Sequence, residues 1–389
     1  MTDRVKEIGH DPNFPLFTPA ASPMFVRHCS ASPTCRADAV NWYRDSNPEF
    51  SHPAALYSAG HAHLDLETSR KREGLITLRD RATTLLNTDS GGFQIGQQTM
   101  PGGEVFRYDI HGREADKLRQ KNLTWSEAFG DYAITLDFPA WAVGTPNYLF
   151  RTADECLRET IYNLSFIRER RIPGRVKLLN VVQGRTYSEA LRWYKSVKDF
   201  RFEGWSFAGP VAADPDITVK ILLNMWRDRQ INADQRWLHI LGRSSLNAVW
   251  NNNIIHRCIR DFIYPDAQVS YDSSSAVQFA VNGTAIVGAR INADEFAFDT
   301  QDALIARGDN DGYCRQMFAN LQVQVEKIRL IDRLSMLSVA QLIETQPVPN
   351  INIRFKAAML QVFERAAEIG IDRFPIDDVD LREFSKMVS

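Results

Sequence analysis

Asn87-Thr88-Asp89-Ser90-Gly91-Gly92-Phe93-Gln94 follows a short β-prone run, Ala82 to Leu86, that is rich in Thr and ends in Leu. The Asp89 carboxylate therefore falls where a strand stops and the chain turns. The paired glycines can take positive φ and let backbone N–H groups come close to a ligand. Phe93 adds a flat apolar face, and Gln94 an amide with two donors and an acceptor. An acid, a glycine turn and an aromatic at a strand end suit a pocket for a flat, polar ring; a turn with an incidental Asp is the plainer alternative.

Working outward, there are seven more strand-like runs, and the last five share that habit. Met24–Val26 and Ala55–Ser58 precede it. Tyr132–Leu136 ends on Asp137, Val176–Val182 on Gln183-Gly184, and Gly204–Phe207 on Ala208-Gly209-Pro210. Trp237–Leu241 ends on Gly242, and Ala267–Tyr271 on Asp272. Between the later runs lie segments of helical period: Leu157, Ile161 and Leu164 behind an Asp154 N-cap, then Tyr187, Leu191 and Tyr194, then Ile217, Ile221, Leu222 and Met225. Eight strands alternating with helices predict a (β/α)₈ TIM barrel, an α/β fold whose functional groups sit at the C-terminal strand ends. The residues up to about Ala21 are expected to wrap the barrel irregularly. A doubly wound sheet is the second choice. Beyond about Gln301 the pattern becomes helical, with Phe318–Leu334 and Phe355–Ile369 as helices and Asp309–Gly312 as a turn. This predicts a catalytic barrel over 1–300 and an additional C-terminal helical region over 301–389.

The 389 residues are 44% hydrophobic and 24% charged, with a formal net charge of −2, so any basic footprint has to be local. From Arg168 to Arg260 there are 17 Lys/Arg against 8 Asp/Glu, a local +9. Solvated helix faces are the usual explanation; in a nucleic-acid enzyme such charges would hold phosphates. No apolar run approaches a membrane span, Met1 to Pro15 lacks the apolar core of a signal peptide, and five scattered cysteines suit a reducing cytoplasm. Cys29 and Cys35, with His28, His61 and His63, could assemble a metal site, although the five-residue gap departs from zinc spacing. His111 and His256 have no evident partner.

Two acids with separate jobs are the minimum for chemistry at a glycosidic carbon, one attacking C1′ and one managing protons. A third carboxylate, such as Asp137, could read the N1–H and exocyclic amine of a guanine-like edge, while Gln183 or the Gly209 N–H meets O6.

The segments Asp89–Gln94, Val181-Val-Gln-Gly184 with Tyr187 and Leu191-Arg192, Gly204–Gly209 and Arg236–Gly242 occur in the order found in tRNA-guanine transglycosylases, which the chain resembles from about Leu85 to Ser275. The resemblance implies a barrel enzyme that exchanges guanine in nucleic acid for a free 7-deazaguanine base, without a redox or other organic cofactor. Asp272 resembles the nucleophile and Asp89 the acid/base; Ser90, Phe93, Asp137, Gln183, Gly209 and His239 fall at substrate-binding positions, with Phe93 stacking and His239 in place of an apolar sandwich partner. The zinc motif of the tRNA enzymes has no counterpart: Cys314 is the last cysteine and no histidine follows His256. Gly-Gly-Leu becomes Ala208-Gly209-Pro210, and Asp272 lies within Ser270-Tyr-Asp-Ser-Ser-Ser275. These departures are more like the divergent branch that modifies DNA in phages and bacterial modification islands, so DNA is the expected partner, with tRNA as the alternative. Helper proteins, or a role as a non-catalytic binding subunit, fit the same resemblance.

Overall fold

A computed structural model describes residues 4–34, 40–97 and 113–381. Eight parallel strands form one sheet: Leu16–Pro19 (β1), Ala54–Ser58 (β2), Leu85–Asp89 (β3), Tyr132–Ile134 (β4), Lys177–Val182 (β5), Gly204–Phe207 (β6), Trp237–Ile240 (β7) and Gln268–Ser273 (β8). β1 pairs with β8 and each strand from β2 to β8 with its sequence neighbour. The ring closes between β1 and β2, where Ala20 bridges Leu56 and the Ala21 N–H donates to the Leu56 carbonyl at 2.8 Å. This is the expected (β/α)₈ barrel.

The first strand is not where the sequence suggested. Met24–Val26 lies in a helix, Pro23–Ala31, started by the Ser22 hydroxyl accepting from the Phe25 N–H, with Pro23 at the first helical position. Phe25, Val26 and Cys29 are its buried face. The strand is instead Leu16–Pro19, inside the stretch read as irregular. Its closing proline is tolerated because it ends the pairing with β8.

Period-2 alternation divides each strand. Phe17, Tyr57, Leu86, Leu178, Trp205, Leu238 and Tyr271 pack outward against the helices. Leu16, Leu56, Leu85, Tyr132, Ile134, Leu179, Val181 and Trp237 form a separate cluster inside the ring. Tyr132 and Trp237 stack at 3.9 Å and fill its N-terminal end. Continued upward, the inward rows become polar: Asn87 and Asp89 on β3, His239 on β7, Ser270 and Asp272 on β8.

The helix after the fourth strand runs Ala153–Arg170, and Thr152, not Asp154, caps it. An antiparallel hairpin, Thr284–Ile291 with Phe296–Asp302 (β9, β10), follows the barrel and spans residue 300, where helical sequence was expected to begin. Asp309 does not close a turn but caps the helix Asn310–Ser335, accepting from the Gly312 N–H at 2.8 Å. The helices Val339–Thr345 and Asn350–Ile369 follow, and a short 3-10 turn, Ile376–Asp378, comes before the last described residue, Leu381. Lys356 is fully buried, and its Nζ donates to the carbonyls of Ser335 and Leu337 at the end of the long helix. No helix among the described residues is long and apolar enough to cross a membrane.

Candidate active site

The C-terminal strand ends open into a cleft of about 1030 Å³, and Asp89, Asp137 and Asp272 all line it. Asp89 is the last residue of β3, and its Oδ2 accepts from the Gly91 N–H at 3.1 Å. Gly91 takes φ +74°, which the turn requires. Gly92 does a different job from the one its sequence position suggested. It starts the helix Gly92–Gly96, and a Cβ there would lie 1.8 Å from the Asp137 carbonyl oxygen, so the β3 turn and the Asp137 loop touch backbone to backbone. Ser90 lies just beneath, 3% exposed; its carbonyl is held by Asn122 Nδ2 and its hydroxyl has no partner among the described residues.

Burial pushes the Asp89 carboxyl above its usual range, and the nearby Asp272 charge adds to this. Asp137 is pushed up to about 8, first by burial and then by the charge of Asp89. Three acids share one low-dielectric space, and two of them retain protons more readily than free carboxyls do.

Gln183 was expected to read the base, but its amide points elsewhere. It is fully buried; Nε2 donates to Asp137 Oδ2 at 2.6 Å and to the Phe138 carbonyl at 2.9 Å, and Oε1 accepts from the Ala140 N–H at 2.6 Å. Both donors are spent on holding the Asp137 loop. Gln183 thus acts as the positioner of Asp137.

His239 also sits deeper than expected. It is fully buried beneath Asp272 and presents no face to the cleft. Trp237 Nε1, which can only donate, gives its hydrogen to Ser270 Oγ at 2.8 Å. In the tautomer that uses every donor, Ser270 passes its own hydrogen to His239 Nδ1, also at 2.8 Å, and His239 donates from Nε2 to Asp272 Oδ1 at 3.3 Å. The Gly242 N–H donates to the same oxygen at 2.7 Å. This chain of donors fixes Oδ1 and leaves Oδ2 of Asp272 with no protein partner among the described residues.

The alternation that sinks His239 brings Leu241, two residues on, to the cleft wall. Phe93, 37% exposed, lines the cleft as expected, stacked at 5.1 Å and 22° on Trp141. Trp141 also covers Gly209, where a Cβ would lie 2.5 Å from its ring; with φ +56°, Gly209 is fixed as glycine twice over. Sequence reasoning passed over Trp141, Leu241 and Arg243 as site residues and offered His61 only as a metal ligand; all four line the cleft. A Trp four residues after a strand-end acid was the one available signal. His61 is held down to about 4, chiefly by burial and then by Lys121 and Arg27, and so stays neutral.

The suggested metal site does not form around Cys29. That thiol is buried in the core, and His28 Nε2 engages Asp311 Oδ1 at 2.5 Å; Cys35, like His111, lies outside the described residues. Compared with known proteins, the chain matches no family model and no curated protein.

Proposed function

We propose that this protein is a base-exchange glycosyltransferase that replaces guanine in nucleic acid, DNA rather than tRNA, with a 7-deazaguanine. The observation that supports this reading best is the convergence of Asp89, Asp137 and Asp272, from the ends of three different strands, on one cleft with aromatic and aliphatic walls.

The target nucleotide leaves its stack and enters the cleft, at a cost of a few kcal/mol in a duplex. Its base lies between Leu241 and the face of Phe93 turned away from Trp141. Asp137, once deprotonated, accepts from N1–H and the exocyclic amine. Asp272 Oδ2 attacks C1′, the C1′–N9 bond breaks, and the departing guanine takes the proton held by Asp89. The sugar is then bound covalently to Asp272. A free 7-deazaguanine enters the same slot and gives its N9 proton to Asp89. Its N9 displaces Asp272 from C1′, giving net retention through two inversions.

The division of labour follows from the surroundings. Asp89, raised by burial and by its neighbour, is suited to hold the travelling proton. Asp272, oriented through Oδ1 alone, keeps an oxygen available for bonding to carbon. The presence of both acids speaks against a binding-only subunit. Incubating the purified protein with labelled guanine and either single-stranded DNA or tRNA tests the reading: label should enter DNA. Entry into tRNA alone would reassign the partner, and entry into neither would overturn the function.

A further inference from the structure

We infer that Arg243 is the phosphate-binding group of the cleft, holding the phosphodiester next to the nucleotide whose base is exchanged. This rests on the base-exchange reading and names how the strand itself is gripped.

Arg243 directly follows Gly242, whose N–H holds Asp272, and it lines the same cleft. Its Nε is buried without a hydrogen-bond partner, and no carboxylate pairs with its guanidinium among the described residues. A buried guanidinium Nε left without an acceptor is costly unless something arrives to satisfy it. Burial alone lowers its pKa, which fits a cation with no neighbouring acid in contact. Four acids, Asp89, Asp137, Asp214 and Asp272, line this cleft, yet none is placed against Arg243. An acceptor for this Nε can come with the substrate. A purine base is neutral, so in a nucleic acid the anion is the phosphodiester, which a planar guanidinium engages through paired donors.

The loop is built rigidly enough for that task. Asn252 Nδ2 donates to the Arg243 carbonyl at 3.2 Å, and Gln324 Nε2 ties the adjacent Ser244 to Ser275 at 3.2 and 2.8 Å. The loop after the seventh strand is also where many (β/α)₈ barrels bind phosphate.

The remaining basic residues of 168–260 are poor candidates. Lys177, Arg201, Arg229 and Arg236 line a pocket at the N-terminal end of the barrel, on the opposite face from the acids. Arg171 pairs with Glu203 at 2.5 Å and Lys198 with Asp228 at 2.8 Å. On the cleft side, Arg185 pairs with Glu189 at 2.7 Å and Arg192 with Asp154. The local +9 is mostly structural, and Arg243 is the part of it that faces the chemistry.

The test measures binding of a guanine-containing single-stranded DNA oligonucleotide to the full-length protein across a salt series, for wild type, Arg243→Gln and Arg243→Lys. Arg243→Gln should bind the oligonucleotide about tenfold more weakly, with a salt slope smaller by about 0.7. Arg243→Lys should keep the slope, and affinity for free 7-deazaguanine should not change in either variant. An oligonucleotide with a methylphosphonate beside the target guanine should lose affinity for wild type but not for Arg243→Gln. Equal slopes and affinities for wild type and Arg243→Gln would overturn the proposal and leave base exchange standing. If the phosphate effect appears but labelled guanine never enters the oligonucleotide, the function reading fails and the phosphate contact survives. A protein that binds no DNA oligonucleotide at all would overturn both the phosphate contact and the choice of DNA as partner.

Discussion

If Asp137 reads the base edge as proposed, base binding should depend on pH in a way that can be worked out in advance. Burial and the charge of Asp89 raise its pKa to about 8, so in the empty site it holds a proton at neutral pH. Guanine and 7-deazaguanine offer two donors on the edge that Asp137 should read, and only the carboxylate can accept both. Binding must therefore release a proton. Below the pKa, affinity should rise tenfold per pH unit and level off above it. Between pH 6 and pH 8 the change is roughly 50-fold, about 2.3 kcal/mol at 1.36 kcal/mol per tenfold step. Calorimetric titration of a 7-deazaguanine in two buffers of different ionisation enthalpy counts the proton directly. One proton should be released near pH 6.5 and almost none at pH 9. Asp137→Asn should bind weakly and lose most of this dependence; what remains reports Asp89. An affinity that is flat from pH 6 to pH 8 with no proton release would refute the assignment of Asp137 to the base edge.

Other consequences can be measured as readily. Asp272→Asn should abolish exchange while the melting temperature and base affinity stay near wild type; full activity would remove the covalent mechanism. His239→Leu should lower kcat by 10- to 100-fold with base affinity unchanged, because Asp272 loses a donor and Ser270 an acceptor, and His239→Gln should recover part of the loss; unchanged kcat in both would show that the buried chain of donors has no role in orienting Asp272. Gly92→Ala forces a methyl into the Asp137 carbonyl and should destabilise the fold by ~1–3 kcal/mol with weakened base binding, read from denaturant midpoints and calorimetry. His52, held down to about 4 by burial, contributes stability that is complete above pH 6.5 and is lost as pH falls toward 4, since only the unfolded chain takes up the proton there. Denaturant midpoints at pH 7 and pH 4.5 should differ less in His52→Gln than in wild type, and identical differences would remove this cause.

The barrel was legible because seven of its strands announce themselves as short apolar or aromatic runs, six of them ending in or next to Asp, Gln or Gly. That same regularity located Asp89, Asp137 and Asp272 at one end of the fold. What sequence does not show is depth. Gln183 and His239 lie one layer below where their motif positions suggest, since a side chain's reach toward the cleft depends on barrel stagger and on which neighbours already claim its hydrogen bonds. β1 was hidden by prolines on both sides of Leu16–Phe17, which mimic an irregular arm. The hairpin Thr284–Asp302 alternates weakly, with Val287 facing solvent, so its strands resemble loop. Trp141 and Arg243 lie in loops, where no periodicity marks a side chain as turned toward the site.

The most direct test of the central claim is to mix the protein with a guanine-containing oligonucleotide, quench with denaturant, digest, and map any attached sugar by tandem mass spectrometry. A DNA adduct is expected on the peptide at Asp272, absent from Asp272→Asn and discharged when a 7-deazaguanine is added before the quench. An adduct on Asp89, or base exchange that proceeds at full rate with no adduct at Asp272, would contradict it.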